Sequence, residues 1–164
     1  MPTVSVIIPT YNSAGFLSDA IESIRKQTLT DWELLIINEY GSDDGTAAIV
    51  QRFAEKDRRV HLIQNCQKLG LSGSLNRGIQ QSAGKYIARL DADDISHPAR
   101  LEKQVTFMEK NPSIAVCGTW QHHFGPGTDW IHKGATTKAQ CKANLLFFCD
   151  LCHSTLMLRK EVFI

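Results

Sequence analysis

Short apolar runs rich in β-branched residues alternate with stretches of helical periodicity over residues 1–110, and few architectures accept that alternation. Val4-Ser5-Val6-Ile7-Ile8, which Pro9 is expected to halt, is the first run. Glu33-Leu34-Leu35-Ile36-Ile37, Val60-His61-Leu62-Ile63 and Tyr86-Ile87-Ala88-Arg89-Leu90 follow. Runs apolar at consecutive positions suit strands buried on both faces, as in a parallel sheet. Between the first two, Phe16, Leu17, Ala20, Ile21 and Ile24 recur at helical spacing and predict an amphipathic helix over 14–27. Further helices are predicted over 47–56, over 71–82 between Gly70 and Gly84, and over 98–110 with Pro98 in the first turn and Ser96 as cap. This order predicts an α/β fold, a mostly parallel central sheet with helices on both faces.

Beyond Gly118 the pattern thins. Strands over 114–119 and 154–158, a hairpin around Gly125-Pro126-Gly127 and a helix over 137–148 are expected, with Leu145-Leu146-Phe147-Phe148 packing into the core at that helix's end. The chain stops at Ile164, directly after Arg159-Lys160-Glu161-Val162-Phe163, and reads as truncated at its C-terminus.

The 164 residues, 43% of them apolar, suffice for one core. A net charge of +1 gives no electrostatic footprint for nucleic acid. No apolar run approaches the roughly 18 residues that cross a bilayer, and Met-Pro-Thr leads straight into a strand, so no signal peptide and a cytoplasmic location are expected. Five cysteines, an odd number, argue for reduced thiols. Cys149-Asp150-Leu151-Cys152-His153 matches a haem-attachment string, but that chemistry belongs to exported proteins. Zinc held by Cys141, Cys149, Cys152 and His153 would lack a second ligand pair. His122 and His123 are expected to be solvated.

The chemistry concentrates in Arg89-Leu90-Asp91-Ala92-Asp93-Asp94. A buried strand ending in Asp-x-Asp-Asp sends several acids into the crevice at its carboxyl end, where open α/β sheets bind ligands. Packing like charges is costly unless a cation lies between them. Asp91 and Asp93, two apart, face one side of an extended chain. Oxygen ligands favour Mg2+ or Mn2+ shared with substrate phosphates. The alternative is a solvated acidic turn before a helix.

Two phosphate fingerprints fail. Gly-x-Gly-x-x-Gly is absent. The stretch from Gly78 to Gly84-Lys85-Tyr86 has one residue too many between its glycines, carries Tyr where a P-loop has Ser or Thr, and precedes a strand instead of following one. A third pattern fits: Val4-Ser5-Val6-Ile7-Ile8-Pro9-Thr10-Tyr11-Asn12, then Asn38-Glu39-Tyr40-Gly41-Ser42-Asp43-Asp44-Gly45-Thr46, then Asn65, Gly70, Asn76, Arg77 and Gly78. Asp91-Ala92-Asp93-Asp94 follows, with Pro98, Arg100-Leu101, Lys103-Gln104 and His153-Ser154-Thr155-Leu156-Met157-Leu158-Arg159. In order and spacing this set resembles the inverting glycosyltransferase family 2, of the GT-A fold, across nearly the whole chain.

The resemblance implies a single GT-A-like domain over 1–164, with a nucleotide-sugar-binding βα array at 1–110 and an incomplete acceptor-side portion at 111–164. It implies metal-assisted transfer, with inversion, from a nucleotide-diphosphate sugar, a UDP-sugar foremost, to a glycan or lipid-linked acceptor. Pro9, Thr10 and Tyr11 would line the nucleotide pocket, the Tyr11 ring covering a base. Glu39 stands where the family has Asp-Asp-Gly-Ser, with Tyr40 inserted, so either Glu39 or a displaced Asp43 would meet the ribose; Asp44 reads as a helix cap. Asn65 and Gly70 would shape the nucleotide side, and Lys68 either reaches phosphate or is solvated. Asp91 and Ala92 would contact ribose or the metal-bound diphosphate, Asp93 would be the main ligand of Mn2+ or Mg2+ with Asp91 beside it, and Asp94 would stand behind them or toward the acceptor. Arg100 either pairs with the acids or braces its helix. The family's catalytic base lies beyond the His-Ser-x-Met segment, hence beyond Ile164, with Asp129, Asp150 and His153 as local substitutes. The resemblance further implies work at the inner face of the cell membrane, without a transmembrane segment, and truncation implies an exposed edge that could drive self-association. A non-catalytic nucleotide-sugar-binding or assembly module is the alternative. A nucleotidyltransferase would need a basic Gly-rich loop where Pro9-Thr10-Tyr11-Asn12 stands.

Overall fold

The computed structural model describes residues 1–163. The alternating array consists of β1 (Val4–Thr10), α1 (Leu17–Arg25), β2 (Trp32–Asn38), α2 (Thr46–Ala54), β3 (Val60–Gln64), α3 (Gly70–Gln81), β4 (Tyr86–Arg89) and α4 (Arg100–Lys110). After it come β5 (Val116–Cys117), a hairpin of β6 (Gln121–Gly125) and β7 (Thr128–His132), α5 (Lys138–Asn144), a 3-10 turn at His153–Thr155, and β8 (Met157–Arg159).

The main sheet has the order β3-β2-β1-β4-β8-β5. Its first four strands are parallel; β8 runs antiparallel to β4, and β5 antiparallel to β8. The chain moves outward from β1 to β3 and then crosses back to β4. That reversal opens a crevice beyond the carboxyl ends of β1 and β4.

Both faces of the sheet are covered, as expected. On one, Val4, Val6, Ile8, Leu34 and Ile36 meet Leu17, Ile21 and Ile24 of α1, Val50 of α2, and Leu101 and Met108 of α4. On the other, Ile7, Leu35, Ile37 and Ile87 pack against Leu75 and Ile79 of α3. The glycines that imitated a P-loop have packing reasons instead. A Cβ on Gly78 would stand 2.7 Å from Ile7 Cγ2, and one on Gly84 would stand 2.5 Å from the Ser5 backbone nitrogen.

Several boundaries differ from expectation for local reasons. Pro9 does not halt β1: it stays in register with Ile37, and its backbone nitrogen, two residues on from Ile7, lies on the β4 side. Ile7 already takes the Leu90 N–H there, and β4 ends at Arg89, so the missing proline N–H has no ladder partner to disappoint. The first helix starts at Leu17 because residues 13–16 form a turn in which the Phe16 and Leu17 N–H groups donate to Ser13 O. Ser96 is no cap. It is buried, bonded to the Gln27 amide and to Ser23 Oγ, and α4 begins only at Arg100 with its Leu101 N–H on Gln27 Oε1. The strand expected over 114–119 shrinks to β5. That expected over 154–158 shifts to β8, since His153–Thr155 winds as a 3-10 turn.

The largest correction concerns Leu145-Leu146-Phe147-Phe148. The helix α5 ends at Asn144, the next residues continue in tight turns, and all four side chains are exposed. Neither core cluster includes them, and α5 itself buries no residue.

Candidate functional site

Four parallel strands deliver their following loops to one edge. In register, Thr10 pairs with Asn38 and Asn38 with Gln64, and β4 delivers Asp91 to the same side of the sheet. The loops after β1 and β2 are stitched together. The Glu39 N–H donates to Thr10 O, Asn12 N–H to Ser42 Oγ, Asp43 N–H to Asn12 Oδ1, and Ala14 N–H to Asp44 Oδ2. Asp44 also accepts the Thr46 N–H, the first of α2, so it does a cap's work from just ahead of Gly45.

Thr10 is buried, its hydroxyl on Asn38 Oδ1 at 3.0 Å, and Pro9 is half-buried beneath it. Tyr11 is exposed, followed by Asn12 at φ +48°. Glu39 is buried and turned toward the start of α3. One oxygen takes the Tyr40 N–H and the Asn65 amide, the other the Gly70 N–H at 2.6 Å and Ser74 Oγ, and the Leu69 N–H reaches both. Burial pushes this carboxyl up, but the donors of Leu69, Tyr40, Asn65 and Gly70 outweigh it and hold its pKa below the ordinary value. Asn65 links Glu39 and Ser74 to Arg77, and Gly70 opens α3 at φ +69°. Lys68 and Asp43 are exposed.

At the end of β4, Asp91 is half-buried, Ala92 buried, Asp93 exposed and Asp94 half-buried. Arg89 Nη2 donates to Asp91 Oδ1 at 2.7 Å, and the Asp91 N–H donates to Ser154 Oγ at 3.1 Å. Burial raises the Asp91 carboxyl above its usual range. Asp94 and Asp93 push the same way, while Arg89 and His153 draw it down. Among the described residues no group of three or more His, Cys, Asp or Glu side chains gathers to hold a metal. Asp91, paired with Arg89, and the exposed Asp93 are two carboxylates only, so a cation held there would have to take its remaining oxygens from phosphates and water.

Arg100 does not touch the acids. It is buried and donates to Arg89 O, Leu156 O and Gln104 Oε1, so it braces β4 against the turn before β8. Burial lowers its pKa to about 10, which still leaves it charged at neutral pH. Arg159, at the end of the His153–Arg159 segment, is likewise structural, tying β8 to Ile114 O, Met108 O and the Tyr86 hydroxyl. Asp129 is engaged by His122, and His123 stacks on Trp130. Asp150 is engaged by the Ala135 N–H and the Asn144 amide. His153 is exposed beside Ser154, and the five thiols are free. The roles of Arg89 and Ser154 escaped sequence reasoning. The resemblance of His153-Ser154-Thr155-Leu156-Met157 to the family's His-Ser-x-Met segment was the one signal that could have pointed to Ser154.

Between the acidic loop and the hairpin lies a cavity of about 790 Å3 lined by Asp94, Ile95, His97, Lys103, Trp120 and Phe124. Among the described residues, no helix is long and apolar enough to cross a membrane.

Solved structures share the architecture. That of S. aureus TarS 1–349 in complex with UDP-GlcNAc superposes with a TM-score of 0.78 at 21% identity, covering 99% of this chain and 46% of that one. The mannosyltransferase PcManGT from Pyrobaculum calidifontis, in complex with GDP-Man and Mn2+, gives 0.74 at 19% identity, with 99% and 46% covered. At these identities the likeness shows the GT-A fold. An uncharacterised glycosyltransferase of Haemophilus influenzae is 34% identical over 178 aligned residues, covering 99% of this chain and 53% of its own length. The chain spans about half the length of such relatives, between 41% and 53% for three of them. The profile of Glycosyl transferase family 2 matches residues 5–163, and the chain belongs to that family.

Proposed function

We propose that the chain is the donor-binding part of an inverting, metal-assisted glycosyltransferase that moves a sugar from a nucleoside-diphosphate donor, a UDP-sugar foremost, to a glycan or lipid-linked acceptor. The observation that carries this is the convergence of the loops after β1, β2 and β4 on one crevice, with Asp91 and Asp93 at its rim, in a family 2 chain. Pro9, Thr10 and Tyr11 bound the nucleoside, and Asn65 and Gly70 shape its far side. Glu39 contributes by fixing the start of α3. Asp91 and Ala92 stand at the ribose and diphosphate, and Asp93 with Asp91 would hold Mn2+ or Mg2+. When bound, the cation supplies charge neutralisation on the departing diphosphate. Arg89 and Ser154 hold Asp91 in place from either side.

In the transfer, an acceptor oxygen bonds to the anomeric carbon as the sugar–phosphate bond breaks, and a base takes the acceptor hydroxyl proton. The cavity beside Asp94 is the proposed approach for the acceptor. Asp129 and Asp150 are engaged by other partners, which leaves His153 as the one local substitute and otherwise favours a base elsewhere in the full-length protein, with little transfer by this segment alone. The same fact favours, as second reading, a module that binds nucleotide sugar without chemistry. The proposed setting is cytoplasmic, peripheral at the inner face of the cell membrane.

Calorimetric titration of UDP, with and without Mn2+, into the chain and into Asp93→Ala tests the donor site. Binding that requires Mn2+ and disappears in the variant is expected; metal-independent binding equal in both proteins would sink it. Acceptor-dependent turnover by the full-length protein would rule out the second reading.

A further inference from the structure

Choosing one nucleobase over another needs a hydrogen-bonding group free to meet the base edge, whereas every base has a π-face. The carboxylate directly after β2 is that of Glu39, and it is already occupied. Tyr40 N, Asn65 Nδ2, Leu69 N, Gly70 N and Ser74 Oγ all donate to it. An ionised carboxylate offers about four lone-pair sites, so none is left for a ligand.

The next residue is the opposite case. Ser42 N–H closes a turn onto Glu39 O at 3.3 Å, with Tyr40 second in the turn and Gly41 third at φ +80°. A positive φ at the third position is what a type II turn demands, and glycine supplies it without strain. The Tyr40 N–H is fixed by Glu39 Oε1 at 2.8 Å, yet its side chain belongs to a residue left 57% exposed. Tyr11 is 57% exposed as well, on the neighbouring loop. The hydrogen bonds between Thr10 and Glu39, Asn12 and Ser42, and Asn12 and Asp43 lock the two loops to each other. Two aromatic side chains thus stand on one stiff double loop at the sheet's carboxyl edge.

We infer that Tyr40 meets the nucleobase of the donor by stacking, and that the site therefore takes pyrimidine and purine nucleoside diphosphates with similar affinity. This rests on the donor-site reading above and widens its donor from UDP foremost to nucleoside diphosphates of either base class. Its consequence is that donor choice falls on the sugar and not on the base.

The test is calorimetric titration of UDP, CDP, GDP and inorganic diphosphate, each with Mn2+, into the chain, Tyr40→Ala, Tyr40→Phe and Asp93→Ala. Expected are affinities for the three nucleotides within about ten-fold of one another, and a loss of about ten-fold for each in Tyr40→Ala. Tyr40→Phe should restore binding, and inorganic diphosphate should be indifferent to either change at Tyr40. A preference for one base above about a hundred-fold that persists in Tyr40→Ala overturns the inference. So does nucleotide binding that is lost in Asp93→Ala but unchanged in Tyr40→Ala, an outcome that leaves the donor site standing. Absence of binding by all three nucleotides overturns both.

Discussion

A carboxylate at the end of a strand can face outward to a ligand or inward to the next element, and Glu39 faces inward. Its charge meets the open N–H groups at the start of α3, where an anion is favoured. Because these donors hold its folded pKa below the unfolded value, near 4.3, the ionised form stabilises the fold above that pH. The contribution is lost as pH falls through the folded pKa. Glu39→Gln should cost about 1–3 kcal/mol at neutral pH, and the gap to the parent should narrow in urea unfolding as the pH is lowered past about 4. A gap that stays constant with pH would show that the charge is not the source. Arg100 makes a similar point with opposite sign. It was open whether it pairs with the acids or braces its helix, and its bonds run to the Arg89 and Leu156 carbonyls. Arg100→Met should therefore lower stability by about 2–4 kcal/mol while the Mn2+ dependence of nucleotide binding survives. The acidic string itself was legible because its spacing is local. The partners of Asp91 were not: Ser154 is 63 positions away, and no periodicity encodes such a contact.

Element by element, the array from β1 to α4 was legible because each strand is a consecutive apolar run and each helix buries one face. The errors lie at ends, where distant groups decide. Gln27 caps α4 from beyond α1, and the paired edge of β1 accommodates Pro9. Gly78 looked like a phosphate-loop remnant, yet it serves the packing of α3 on the sheet. Helix propensity alone would make Gly78→Ala stabilising by about 1 kcal/mol. The added methyl, however, would lie 2.7 Å from Ile7 Cγ2 and 3.1 Å from its Cδ1, with Ile37 Cγ1 at 3.3 Å, on a face already filled. Overpacking of this kind typically costs about 1–3 kcal/mol, so net destabilisation is expected. Chemical denaturation decides it, and a midpoint at or above the parent's would mean that the sheet face yields more easily than its close contacts imply.

At the scale of the whole molecule, order and exposure divide along the chain. The first four strands carry the core, while α5 buries nothing and the turn after it presents Leu146 and Phe147 at 80% and 84% exposure. Sequence reading assigned this segment to the core because four large apolar residues at a helix end usually go there. Hydrophobicity says that such residues seek cover but not whether this length of chain supplies it. Side chains so exposed add almost nothing to folding, so Leu146→Ser with Phe147→Ser should leave the unfolding free energy within about 0.5 kcal/mol of the parent. What the pair contributes must then appear between molecules, since contiguous apolar patches drive association. Sedimentation velocity across a range of concentrations should show the parent associating more strongly than the double variant. A variant that unfolds more easily would place the segment in the core after all, and identical sedimentation of the two proteins would remove this surface from any role in self-association.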